Sequence, residues 1–129
     1  MIFIPFQFVL RRLKALFTCQ VSMKHLLRYD LKLWHPVGVV IGRKAVIGRD
    51  CVIYSHVVIG RRSIADSDYP VIGDRVILYT GAKIFGKVRI GNDSIIGAGC
   101  IICEDVASNI VVTQRQEHHY RHIDADEMG

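Results

Sequence analysis

The chain has 129 residues, half of them hydrophobic, with seventeen Lys and Arg against twelve Asp and Glu and a formal net charge of +5. That length holds one core and does not divide into two, and a positive mean hydropathy of +0.26 excludes an intrinsically disordered chain. The positive balance favours an anionic partner, whether a nucleotide phosphate, a nucleic acid or an acidic membrane surface, and by itself does not choose among them.

Residues 1–33 read as an N-terminal helical, capping segment. The apolar run from Met1 to Leu10 lacks a basic n-region and a small-residue cleavage site and is too short to span a bilayer, so it is not read as a targeting peptide. Arg11, Arg12 and Lys14 follow at once. An amphipathic helix over Phe8 to Phe17 is predicted, which either packs as a cap on the body or a neighbouring subunit, or touches a membrane face. Cys19, Cys51, Cys100 and Cys103 come without a secretory signal, so reduced thiols are expected.

From Ile41 a period of six takes over. The blocks read IGRKAV, IGRDCV, IYSHVV and IGRRSI, then from Ile72 IGDRVI, LYTGAK, IFGKVR, IGNDSI, IGAGCI and ICEDVA. The first position is Ile or Leu in all ten, the second is Gly in six (Gly42, Gly48, Gly60, Gly73, Gly91, Gly97), and the fifth is small or β-branched. A period of six suits neither a 3.6-residue helix nor a long strand of alternating faces, so the chain must turn at every block. Three short strands and three corners make a triangular coil of about 18 residues, and stacked coils bury the first position of each block on its equivalents above and below. The glycine is then expected where a corner needs a conformation that a Cβ penalises, and the fifth position points inward near a corner. Counting in eighteens places Ile41 with Ile59, Leu78 and Ile96, Ile47 with Ile84 and Ile102, and Ile53 with Ile72 and Ile90. The phase slips by one residue between Ile59 and Ile72, so Ala65 to Val71 is expected to bulge as a loop. The coil is assigned to residues 34–110 and a tail to residues 111–129.

This motif, an aliphatic residue, Gly, two free positions, a small residue and one more, resembles the hexapeptide-repeat acyltransferase superfamily. Within it, His35-Pro36-Val37-Gly38-Val39-Val40-Ile41-Gly42 is similar to the His-x-x-Gly segment of serine acetyltransferases and of the capsule and exopolysaccharide sugar O-acetyltransferases that share their fold. The likeness continues through Tyr69 to Asp74, from Gly81 and from Ile96, covering Leu33 to Asn109. The resemblance implies an all-β chain, a single-stranded left-handed parallel β-helix with a short N-terminal helical segment. It further implies a homotrimer using acetyl-CoA as co-substrate; no metal is expected, and no nucleic acid, because no base-stacking or helix motif supports one. A cytoplasmic location, with N-terminal contact to the inner face of the membrane left open, goes with it.

His35 falls where that family carries its catalytic base. The chemistry needs such a group, because an alcohol proton must leave as oxygen attacks a thioester, and an imidazole titrates near neutrality. Two positions depart from serine acetyltransferases: Trp34 stands where they carry an Asp, and Tyr69 where they carry a second His before the loop proline. Both departures point from free L-serine towards a sugar hydroxyl stacked on Trp34 or Tyr69, in surface polysaccharide biosynthesis, with serine as the alternative and an inactive scaffold as a third reading. His56 either binds the acceptor or occupies an exposed corner. By resemblance, acetyl-CoA lies between adjacent prisms along Gly81, Ala82, Gly97 and Ala98, whose N–H groups can hold the thioester oxygen. Lys83, Lys87 and Arg89 either meet its phosphates or form a solvated basic face. Cys100 and Cys103 are three apart, but the repeat places one inward and the other at a corner, which argues against a metal or redox pair. The tail, with His118, His119 and His122, lacks the loop with which family members cover the CoA adenine.

Overall fold

The computed structural model describes residues 5–65 and 67–128. The apolar start at residues 1–4, Asp66 of the expected loop, and the side chains of Arg11 and Lys14 in the expected amphipathic helix lie outside the described residues. Helix α1 (Phe6–Thr18) leads to strand β1 (Gln20–Val21), and α2 (Met23–Leu26) to β2 (Lys32–Leu33). The short strands then continue as β3 (Val40–Ile41), β4 (Val46–Ile47), β5 (Val52–Ile53), β6 (Val58–Gly60), β7 (Val71–Ile72), β8 (Ile77–Leu78), β9 (Lys83–Phe85), β10 (Arg89–Ile90), β11 (Ile95–Ile96), β12 (Ile101–Ile102) and β13 (Val111–Val112).

Every strand pairs in parallel with strands one coil away, giving three faces of a left-handed β-helix. Face one is β2-β5-β8-β11-β13, face two is β1-β3-β6-β9-β12, and face three is β4-β7-β10. Parallel strands cannot be joined by tight hairpins. A coil that returns each strand over its predecessor satisfies the ladder with corners of a few residues. The first position of all ten blocks is buried, and so are the fifth positions Ala45, Cys51, Val57, Val76, Ala82, Val88, Ser94 and Cys100. Ser94, the polar member, donates its hydroxyl to the Ala107 carbonyl at 2.9 Å. The ladder also extends beyond residues 34–110, taking in Lys32–Leu33, Gln20–Val21 and Val111–Val112.

Two expectations from the repeat are corrected. The columns are Ile41–Ile59–Ile84–Ile102 on face two, Ile47–Ile72–Ile90 on face three, and Leu33–Ile53–Leu78–Ile96–Val112 on face one. The segment between β6 and β7 contributes no rung: residues 61–70 leave the coil at one corner and return to the next face, so the excursion is wider than Ala65 to Val71. The second correction concerns glycine. Left-handed backbone lies at the fourth position of six blocks, at Asp50, His56, Arg75, Gly81, Asp93 and Gly99, and at the third position at Gly86, and not at the second. The second-position glycines other than Gly60 answer instead to close approach: a Cβ on Gly91 would run into the backbone of Ala107 and Ser108, one on Gly48 into Gly73, and one on Gly73 into Asn92.

The N-terminal segment closes one end of the prism. Arg28 donates to the carbonyls of Ile47 (2.5 Å) and Gly48 (2.6 Å) and pairs with Asp30 at 2.7 Å. The hydrogen bond from Arg28 holds the Asp30 carboxyl at about 2, well below the usual carboxylate range. Arg12 of α1 reaches in to donate to the carbonyls of Arg28 and Leu31, each at 2.6 Å. His25 is buried between the Ser22 hydroxyl (2.9 Å) and the Ala45 carbonyl (3.1 Å), an arrangement satisfied by a neutral ring that donates from Nε2. Burial and then the nearby Lys24 charge lower its pKa from the ordinary 6.5.

The unfolded chain therefore binds more protons than the folded one between that lowered value and 6.5. The contribution of His25 is fully present above 6.5 and is lost as the pH falls through the folded value. Acidification from neutrality is expected to lower the melting temperature, with a smaller drop in His25→Gln. An equal drop in both would show that other groups govern the acid response.

Cys51, Cys100 and Cys103 are free thiols. Burial pushes the Cys51 thiol up, and its Sγ donates to the Gly73 carbonyl at 3.1 Å. Cys100 is buried and Cys103 exposed, so the two face different surroundings as the repeat required. A thiol reagent is expected to modify Cys103 rapidly in the native protein and Cys51 and Cys100 only on unfolding. Mass spectrometry of the labelled peptides gives the order.

Candidate functional site

The chain turns from face one to face two at a corner that recurs in every coil. Three of these corners advance six residues, from Ile53 to Ile59, Leu78 to Ile84 and Ile96 to Ile102; the first, from Leu33 to Ile41, advances eight. The widened corner carries His35. Its backbone is left-handed at φ 50°, at a place other than those fourth positions, and a tight turn about buried Pro36 follows, with the Val37 N–H donating to the His35 carbonyl at 2.6 Å. Cys19 anchors this turn from below through a 2.7 Å hydrogen bond to the Pro36 carbonyl. The His35 ring is exposed and lies 6.5 Å from that of Trp34.

The corners above are tied to this one in a continuous ladder. The His56 N–H donates to Val37 O (2.8 Å), Gly81 N–H to Ser55 O (3.0 Å) and Gly99 N–H to Thr80 O (3.0 Å). The His56 imidazole lies over Gly38, where a Cβ would meet its Cδ2 at 2.7 Å and Nε2 at 3.1 Å. Glycine at 38 thus makes room for the second imidazole on the His35 turn. The left-handed φ of 58° at His56 is shared with the fourth positions Asp50, Arg75, Gly81, Asp93 and Gly99 and marks no function by itself. Beside the imidazoles, the Ser55 and Thr80 hydroxyls lie 3.4 Å apart.

A file of aromatic rings runs along the same edge. Trp34, Tyr54 and Tyr79 each follow the last residue of a face-one strand, and their N–H groups donate to Ile53, Leu78 and Ile96 one coil on. Tyr54 and Tyr79 stack with centroids 4.9 Å apart and planes 16° from parallel. The next place in the file is Gly97, where a Cβ would meet the Val112 carbonyl at 2.8 Å. Trp34 was legible as a candidate; Tyr54, Tyr79, Ser55 and Thr80 were not, because the counted columns put Ile53 and Leu78 on different faces. The signal was present in the blocks, as aromatics at the position otherwise given to glycine.

Among the residues expected at the cofactor, the structure separates the available from the committed. Ala82 is corrected: its side chain is inside the prism, its N–H donates to Tyr79 O and its carbonyl accepts from Val58, each at 3.0 Å. The N–H groups of Gly81 and Gly97 are likewise used, by Ser55 and Val112. Ala98 is exposed, and among the described residues its N–H has no acceptor within the chain. Lys83 folds back to donate to Gly81 O at 3.0 Å. Lys87 and Arg89 lie at and beyond the corner from face two to face three, away from His35. Next to Gly99, a shallow groove of about 360 Å³ is lined by Cys100, Ile101, Ile102, Val112, Thr113, Gln114 and Arg115.

Tyr69 is not brought to His35 within one chain. It stands on the excursion at the corner from face two to face three, half-buried with its ring over Gly42, and the width of face two separates it from the imidazoles. The tail histidines His118, His119 and His122 are exposed, and no group of three or more metal-ligating side chains occurs among the described residues.

Comparison with known proteins places these features in context. No protein-family model matches the chain. It is 42% identical over 79 residues to a serine acetyltransferase of Mycobacterium tuberculosis, covering 60% of this chain and 34% of the relative. It is 37% identical over 79 residues to a serine acetyltransferase of Synechococcus elongatus, covering 60% and 32%. Among solved structures, a Neisseria gonorrhoeae serine acetyltransferase in complex with serine superposes with a TM-score of 0.63 at 38% identity, covering 67% of this chain and 36% of that one. An Entamoeba histolytica serine acetyltransferase in complex with L-cysteine gives 0.61 at 38% identity, covering 65% and 34%. The chain spans about a third of the length of these relatives.

Proposed function

We infer that this chain, a serine acetyltransferase-like β-helix of the hexapeptide-repeat acyltransferase superfamily, transfers an acetyl group from acetyl-CoA to a hydroxyl. The observation that carries the reading is the widened corner, which presents to solvent the His35 of the His-x-x-Gly run that resembles serine acetyltransferases. In this reaction His35 takes the acceptor's hydroxyl proton as its oxygen bonds to the thioester carbon. The tetrahedral intermediate then expels the CoA sulfur, which leaves as a thiol with the proton returned by the imidazolium. The uncommitted Ala98 N–H is a donor available to the cofactor further along the same edge. It stands three coils from His35, about 14 Å along the ladder, so within one chain the base and this donor do not share a reacting centre. In a homotrimer with face two of each prism turned to a neighbour, the His35 corner of one chain is set against the excursion of the next, which carries Tyr69.

L-serine is the acceptor supported best, because the relatives are named for it and one solved structure contains it. A sugar hydroxyl is the second reading, favoured by the file of Trp34, Tyr54 and Tyr79, whose exposed flanks offer the flat apolar surface that pyranose rings stack on. The test is calorimetry with acetyl-CoA followed by thiol release against L-serine and a panel of sugars. Saturable heat with serine-dependent release supports the first reading, and release with a sugar alone supports the second. The absence of saturable heat would leave a β-helical scaffold.

A further inference from the structure

Helix α1 turns apolar side chains to the outside and an arginine to the inside. Phe6, Val9 and Leu13, spaced to share one side of the helix, are 73%, 40% and 48% exposed, while Arg12, on the flank next to Val9, is buried against the carbonyls of Arg28 and Leu31. Phe8 also turns inward, its ring 5.1 Å from that of Tyr29. The neighbouring α2 repeats the pattern: His25 and Leu26 are buried and Met23 is exposed, as is Leu27 at its C-terminal end. The arginine serves the fold, and the apolar side chains are left to the outside.

Charge is concentrated in the same segment. Arg11, Arg12, Lys14, Lys24, Arg28 and Lys32 face a single acid, Asp30, within residues 1–33, and the other 96 residues balance eleven basic against eleven acidic side chains. The entire net charge of +5 therefore belongs to the cap. Arg12 and Arg28 are committed to the fold, but Lys24 and Lys32 are exposed. An apolar helix face within a strongly cationic segment is complementary to an anionic bilayer, where side chains enter the acyl boundary and the cations meet lipid phosphates. No helix among the described residues is long and apolar enough to cross a membrane, and the 13 residues of α1 make a rod of about 20 Å, suited to lying in the interface plane.

We propose that the N-terminal cap is a docking surface for anionic lipid bilayers, holding the β-helix at a membrane face through Phe6, Val9 and Leu13 together with the exposed Lys24 and Lys32 of the same segment. The proposal stands apart from the acetyl-transfer reading, since thiol release without lipid reports that reaction separately.

The experiment is sedimentation of the full chain with phosphatidylcholine vesicles and with vesicles that also contain phosphatidylglycerol. Binding to the anionic vesicles alone, weakened by added salt, is expected. Val9→Glu with Leu13→Glu is expected to weaken it by roughly tenfold or more, and Lys24→Glu by several-fold; these residues are exposed, and circular dichroism confirms that the variants fold. Failure of the wild type to bind anionic vesicles at low salt would overturn the proposal, as would undiminished binding by the double Glu variant. A lipid-free change of oligomeric state in that variant would assign the face to a second copy of the chain and overturn it equally.

Discussion

Replacing His35 with alanine is expected to lower acetyl transfer by about 10²- to 10⁴-fold, with acetyl-CoA binding by calorimetry unchanged. Under the proposed reaction the imidazole acts only on the acceptor's proton, so its loss falls on turnover and spares the cofactor. The ring is exposed, and no core packing depends on it. The backbone at φ 50° is a separate matter, because an alanine there carries a strain of about 1 kcal/mol or more that the fold must absorb. His35→Asn is therefore the sharper variant, since asparagine tolerates the left-handed region and cannot serve as a base near neutrality. Both variants are expected to lose activity, while only the alanine loses melting temperature. Turnover at the wild-type rate in His35→Asn would remove this residue from the chemistry. His56→Asn keeps the same backbone preference at the neighbouring imidazole and separates its contribution from that of His35.

Truncating Ile84 to alanine is expected to destabilise the fold by about 2–5 kcal/mol, measured by urea unfolding. Ile84 is fully buried at the centre of the face-two column, paired with Ile59 on one side and Ile102 on the other. The cavity cannot be filled from within the coil, because the strands above and below are held by the parallel ladder. Each coil of a solenoid is stabilised only by its neighbours, so the loss falls on two interfaces at once. Ile64→Ala, at an 88% exposed position on the excursion, is the matched control and is expected to change stability by less than about 0.5 kcal/mol. Comparable losses in the two variants would mean that the column does not carry the fold's stability.

Much of the architecture could be read before any coordinates. Inward first and fifth positions follow from which residues are aliphatic or small at a fixed interval, and the buried set from Ile41 to Ile102 agrees with them. The different surroundings of Cys100 and Cys103 follow from the same count. The role of the second-position glycines did not follow, because a glycine needed for a left-handed corner and one needed for close approach look alike in sequence. Only the backbone of Ala107 and Ser108 against Gly91 tells them apart. Ala82 shows the same limit: a small residue beside a glycine suits a cofactor groove and a prism interior equally well.

What the sequence by itself determined is the rung, since a six-residue interval is a local property and each short strand and corner is specified within its own block. What only the tertiary structure decided is which rung lies over which. Thirteen residues separate Ile59 from Ile72, which by counting are two hexads and a slip. Parallel hydrogen bonding instead seats Val71 and Ile72 on Val46 and Ile47, and the whole excursion spends no rung. That single choice of register carries Tyr79 onto Tyr54 and Gly81 onto the corner of His56, and assembles an edge of imidazoles, hydroxyls and rings from residues up to 46 positions apart.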